Sequence, residues 1–173
     1  MPLQLKCDRM QEISHKKRQF ERLFASKYDF AQANFCARYL LLKKGWHFRP
    51  WERRGTIYAK QTAFVTNLII AYARPFVASK GWPAFPTKLI NFDAAQREMH
   101  KRLLQMRREI FAHSDSEHFS FRPVDTGTIE QVPFAVLSTV ETEHVKVMTD
   151  DVIKSTNKKL RELHKELIEI SET

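Results

Sequence analysis

The segment 99–111 constrains the fold most, because its apolar residues follow a helical period. One stripe of a helix advancing about 100° per residue contains Met99, Leu103, Met106 and Ile110. Leu104 and Phe111 lie on a second stripe about 100–140° away. The segment therefore predicts an amphipathic helix with a broad apolar face.

Polar side chains interrupt this apolar face, chiefly those of Arg107 and His113. Arg107 lies between the stripes, with His100 one heptad earlier on the same line, and His113 lies near the edge of the apolar arc. Burying a charge is costly unless the group is paired or has a function. One interpretation is a solvated arginine and a histidine that caps the helix. The other, which the placement favours, is a pair of functional groups.

The run Arg107-Arg-Glu-Ile-Phe-Ala-His113-Ser-Asp resembles the signature of the HEPN superfamily, an arginine followed after four to six residues by a histidine. Ala-Tyr72-Ala-Arg-Pro-Phe76 is also similar to prokaryotic HEPN-like proteins associated with phage defence. The resemblance covers roughly residues 27–171 and implies that Arg107 and His113 are catalytic. Further candidates for supporting roles are Arg74, His100, Arg108, Ser114 and Asp115.

The chain is expected to form a single, mainly α domain over residues 1–173. Only four glycines and long periodic runs favour helices. With the resemblance, we expect an antiparallel HEPN-like bundle of four core helices. An N-terminal helical extension at 1–25 and a β-hairpin or three-stranded flap at 117–148, where apolar residues alternate, would be additions to it.

Helix boundaries follow from capping residues and chain breakers. Helices are expected at residues 8–24, 27–44, 56–73, 92–113 and 150–170. Ser26, Asn91 and Thr149 are the expected caps of the second, fourth and fifth of these helices. Pro75 should end the third helix and free Arg74 to point into a cleft or to form a salt bridge.

The link between the second and third helices is aromatic and basic. A single RNA strand could stack on and be clamped by its candidate RNA-binding residues, Trp46, Arg49, Trp51, Arg53 and Arg54. The alternative, which we favour, is an aromatic corner that closes the bundle.

Composition restricts the partners and the chemistry. A net charge of +9 suits a polyanionic partner, RNA before a membrane. The cysteines and histidines lack metal-ligand spacing, and there is no glycine-rich phosphate loop, so neither a metal site nor a cofactor is expected. The start of the chain lacks the apolar core of a secretory signal, and the run 63–73 is too short to span a bilayer. We therefore expect a cytoplasmic protein.

An arginine and a histidine suffice for RNA cleavage by the RNA's own 2′-hydroxyl. Imidazole can remove or supply the proton, and guanidinium can hold the phosphate oxygens as negative charge develops. One histidine cannot easily be both base and acid in one step, which makes a homodimer attractive. HEPN ribonucleases likewise bring two motifs together at a dimer interface.

The leading hypothesis is a metal-independent endoribonuclease of HEPN type, a toxin or phage-defence effector with an antitoxin as a candidate partner. The alternative is an inactive RNA- or protein-binding module that acts with a partner such as a nucleotidyltransferase. Arg108 supports this alternative, because the family's common form has a small polar residue such as Asn there. A third hypothesis is a purely structural helical dimer.

Overall fold

The computed structural model describes residues 3–42, 55–109, 120–123, 129–132 and 137–172. The described part is mainly α, as predicted. Its helices are α1 (Leu3–Leu42), α2 (Gly55–Ala73), α3 (Ala94–Glu109) and α4 (Thr139–Glu172). Strands β1 (Ser120–Pro123) and β2 (Ile129–Val132) pair antiparallel, with Ser120 opposite Val132.

The four helices pack in a bundle-like arrangement around one apolar core. Helix α1 contacts α2 and α4, and α3 also contacts both α2 and α4. Every helix contributes fully buried side chains to this core, among them Phe30, Leu68, Tyr72, Leu103, Val145 and Met148. The hydrophobic effect therefore holds all four helices to a shared interior.

Helix α1 is continuous through Ser26, so the predicted separate helices at 8–24 and 27–44 are wrong, and so is the separate N-terminal helix. The buried face crosses the predicted break without a change of period, since Leu23, Ser26 and Phe30 recur at helical spacing and are all buried. Ser26 is thus an interior residue of a helix. The predicted end at Lys44 lies outside the described residues.

Helix α4 begins at Thr139, which is ten residues before Thr149, the residue predicted to cap it. The actual N-cap is Ser138, whose Oγ accepts from the backbone N of Glu141 at 3.2 Å, while Glu141 Oε2 accepts from Ser138 N at 2.7 Å. Val145 and Met148 are buried on the inner face of α4, so the predicted strand at 145–148 is wrong. Apolar and polar residues that alternate over four positions fit a strand, but the two buried positions, Val145 and Met148, are three residues apart, as on one face of a helix.

The ends of α2 and α3 follow from local chemistry. Helix α2 starts one residue before the predicted position and ends at Ala73. A 3-10 turn (Arg74–Phe76) follows it and contains Pro75, which confirms the predicted break. Asp93, not Asn91, caps α3. Its Oδ1 accepts from Gln96 N at 2.8 Å, and Gln96 Oε1 accepts from Asp93 N at 3.0 Å.

Candidate functional site

Helix α3 carries the motif arginines on its last described turn. Met99, Leu103 and Met106 are buried, in agreement with the predicted stripe. Arg107 is partly buried beside them, whereas Arg108 is exposed. The helical register thus separates two adjacent arginines into different environments.

Arg107 has no carboxylate partner within the described residues, and it is partly buried, whereas Arg108 and Arg161 lack such a partner at exposed positions. Ion pairs satisfy three other arginines, which are Arg38 with Asp150, Arg74 with Asp29 and Arg102 with Glu141. A guanidinium without an acidic partner keeps its full positive potential for an incoming anion. The Arg107 side chain is therefore electrostatically suited to hold a phosphate.

The second half of the motif and the aromatic link lie outside the described residues. This applies to His113, Ser114 and Asp115, and equally to Trp46, Arg49, Trp51, Arg53 and Arg54. Their assignments as catalytic, supporting or RNA-binding residues remain predictions.

His100 lies in an aromatic box between α2 and α3. Its Nδ1 lies 2.8 Å from the Tyr72 hydroxyl, within hydrogen-bond distance. Its ring centroid is 4.6 Å from that of Phe76 and 5.7 Å from that of Phe92. Burial lowers the pKa of His100, which favours the neutral imidazole. The residue therefore holds α3 to α2, and one ring nitrogen is already engaged by a buried partner.

Arg74 lies in the 3-10 turn that follows α2. Its Nη1 lies 2.8 Å from Asp29 Oδ1, and about half of its side chain (54%) is exposed. Of the two predicted environments, the structure therefore has the salt bridge. This ion pair fastens the end of α2 to α1.

Arg22 is a buried cation that the sequence analysis did not identify. It is only 6% exposed, and its Nη2 donates to Pro75 O at 2.6 Å and to Val77 O at 3.3 Å. Burial lowers the pKa of the Arg22 guanidinium. Its spacing of four residues before Ser26 and eight before Phe30, on the buried stripe of α1, is the signal that could have found it.

The described residues contain neither a metal-binding cluster nor a membrane-spanning helix. Within that part of the chain, no three His, Cys, Asp or Glu side chains are grouped so that they could hold a metal ion. None of the helices described there combines the length and apolar character that crossing a membrane requires.

No protein-family model, curated protein or solved structure matches this chain. Any functional assignment must therefore come from the chain's own residues. The residues that bear most directly on it are the motif 107–113 and the environment of Arg107.

Proposed function

We propose that this chain is a metal-independent endoribonuclease of the HEPN type, acting as a toxin or phage-defence effector. The observation that carries the proposal is Arg107, a partly buried guanidinium with no carboxylate partner among the described residues. It opens the Arg-x5-His spacing that ends at His113. A cation held partly out of water and left unpaired is suited to a phosphate that arrives with its own negative charge.

The finer architecture belongs to the same proposal. We infer an antiparallel HEPN-like bundle in which β1 and β2 form a flap inserted between α3 and α4. The chain order of these elements and the contacts between α3 and α4 support the inference. Since α4 begins at Thr139, the flap would end before that residue.

The chemistry needs only the groups of the motif and the RNA itself. The imidazole of His113 takes the proton of the 2′-hydroxyl, whose oxygen forms a bond to phosphorus while the bond from phosphorus to the 5′-oxygen breaks. A second, protonated His113 from the partner copy supplies the proton to the departing oxygen. Arg107 holds the non-bridging oxygens as charge builds on them. The products are a 2′,3′-cyclic phosphate and a 5′-hydroxyl.

The direct test is cleavage of RNA in the presence of a chelator. The parent is expected to cut RNA, while His113→Ala and Arg107→Ala each lose at least about a hundredfold of the rate, the usual contribution of general acid–base or oxyanion stabilisation. DNA should resist, because it lacks the 2′-hydroxyl. Rates would be followed on a gel with end-labelled RNA.

Two matched substitutions control for loss of fold and of charge. Lys101→Ala removes an exposed cation from the same helix as Arg107, and His144→Ala removes an exposed histidine from α4. Both should cleave like the parent. Equal cleavage by the parent and His113→Ala would overturn the proposal.

A second function is favoured by one observation. Arg108 is exposed where the HEPN pattern has a small polar residue, which suits a binding surface better than a reaction site. In that case the chain would be an inactive module that binds RNA or binds a protein such as a nucleotidyltransferase. Salt-sensitive RNA binding without cleavage, unchanged in His113→Ala, is its expected result.

A further inference from the structure

A wide groove runs along the surface between α1 and α4. Its volume is about 540 Å³, and its walls are Phe20, Phe24, Lys27, Lys154, Asn157, Leu160, Arg161 and His164. This lining contains basic and aromatic side chains but no carboxylate. We call it the α1–α4 groove.

The charges of the groove are available to an anion. Neither Lys27 nor Arg161 has an ion-pair partner among the residues that the structure describes. Lys154 lies 3.3 Å from Asp151, with 77% of its side chain exposed. An exposed pair of this kind contributes little free energy, so Lys154 can turn to a phosphate at small cost.

Aromatic rings continue along the same part of α1. The Phe24 ring lies 6.2 Å from Phe20 and 5.1 Å from Tyr28, between centroids. Phe24 is 44% exposed and Tyr28 is 63% exposed, so their rings are accessible to a ligand. The His164 ring lies 6.2 Å from Phe20 on the opposite wall. Exposed rings beside cations are the combination on which single-stranded nucleic acids stack.

We infer that the α1–α4 groove binds a single-stranded RNA segment, with phosphates on Lys154 and Arg161 and a base on Phe24. This inference deepens the proposed function and rests on it for the choice of RNA. Lys154 lies thirteen positions after Glu141, the partner of Arg102 in α3, which corresponds to about 20 Å along the axis of α4. The groove would therefore hold RNA that flanks the cut rather than the scissile phosphate.

The test compares RNA binding by two lysine variants with the same local chemistry. Lys154 and Lys101 are exposed to a similar extent (77% and 75%), and each pairs with an acid three residues earlier. Lys154→Glu should weaken binding of a short 2′-O-methyl RNA several-fold. It should also reduce by about one the steepness with which the logarithm of the affinity falls with the logarithm of the salt concentration. Lys101→Glu changes the net charge equally and should have a clearly smaller effect. Fluorescence anisotropy at several salt concentrations measures both.

A second comparison tests stacking. Phe24→Leu keeps an apolar side chain but removes the ring, and should weaken binding at least about fivefold. Phe35→Leu is the matched control, because Phe35 is a more exposed ring (61%) on the same helix and outside the groove. Thermal melts followed by circular dichroism check that all four variants are folded.

The outcomes separate this inference from the proposed function. The inference that the groove binds RNA is overturned if Lys154→Glu and Lys101→Glu have equal RNA affinities, or if Phe24→Leu and Phe35→Leu do. This holds even if His113→Ala abolishes cleavage. If Lys154→Glu weakens binding but Phe24→Leu does not, the groove attracts phosphate charge without stacking a base, which also overturns the inference. Because the 2′-O-methyl RNA cannot be cleaved by this chemistry, groove binding can hold even where the nuclease proposal fails.

Discussion

His100 shows how a buried polar side chain makes stability depend on pH. Its ring packs against Phe76 and Phe92, and burial lowers its pKa from the ordinary 6.5. The unfolded chain therefore binds the proton more readily than the folded one. The free energy of folding that neutral His100 contributes is fully present above the pKa that this histidine has in the unfolded chain. It is lost as the pH falls from that value through the lower pKa of His100 in the folded chain.

We predict that acidification destabilises the parent more than His100→Gln. The amide of glutamine does not titrate, yet its oxygen can accept from the Tyr72 hydroxyl. The free energy of unfolding in urea, measured at about pH 7.5 and about pH 5, should fall further in the parent. His164→Gln, at an exposed position on α4, is the control and should keep the parent's pH dependence. Equal pH dependence of the parent and His100→Gln would contradict the assignment.

For single residues, the sequence predicts the environment only in part, as Arg107 shows. Its angle on the helix, between the two apolar stripes, correctly indicated partial burial. The absence of an acidic partner within the described residues depends on which helices pack nearby. The contact of His100 with Tyr72 joins residues 28 positions apart, and no local pattern encodes it.

At the scale of single elements, Ser26 distinguishes one long α1 from two helices joined at a cap. The Ser26 hydroxyl is buried and has no hydrogen-bond partner in the described part of the chain. Ser26→Ala should therefore leave stability unchanged or raise it by about 0.5–1 kcal/mol. A cap at this position would instead lose about 1 kcal/mol. Urea unfolding of the variant and the parent gives the sign.

Ser138→Ala is the matched control for this measurement. Ser138 does cap a helix, since its Oγ accepts from Glu141 N at 3.2 Å. Its removal should cost about 1 kcal/mol. If both serine variants lost stability equally, the continuous α1 would be wrong.

Element boundaries were predictable where a strong local signal exists. The apolar run of α2 and the proline after it predicted both ends of that helix to within one residue. The start of α4 was missed, because the alternation of Val145 and Val147 imitates a strand. Burial of Val145 and Met148 on one face resolves the ambiguity, and such burial is a tertiary property.

At the scale of the whole molecule, the strongly basic charge is the property that favours a polyanionic partner such as the proposed RNA. The chain carries a net charge of +9 on a mainly helical framework. The proposed reaction needs two histidines, one as base and one as acid, whereas each motif supplies one. A symmetric homodimer would bring two copies of Arg107 and His113 to one phosphate.

The most direct measurement of the central claim is the chemistry of the cut ends of a defined RNA, cleaved in chelator. Attack by the RNA's own hydroxyl predicts a 2′,3′-cyclic phosphate and a 5′-hydroxyl, which mass spectrometry distinguishes. A single 2′-deoxy nucleotide at the mapped site should then abolish the cut there. Cleavage that leaves a 3′-hydroxyl and a 5′-phosphate, or that persists at the 2′-deoxy nucleotide, would contradict the account.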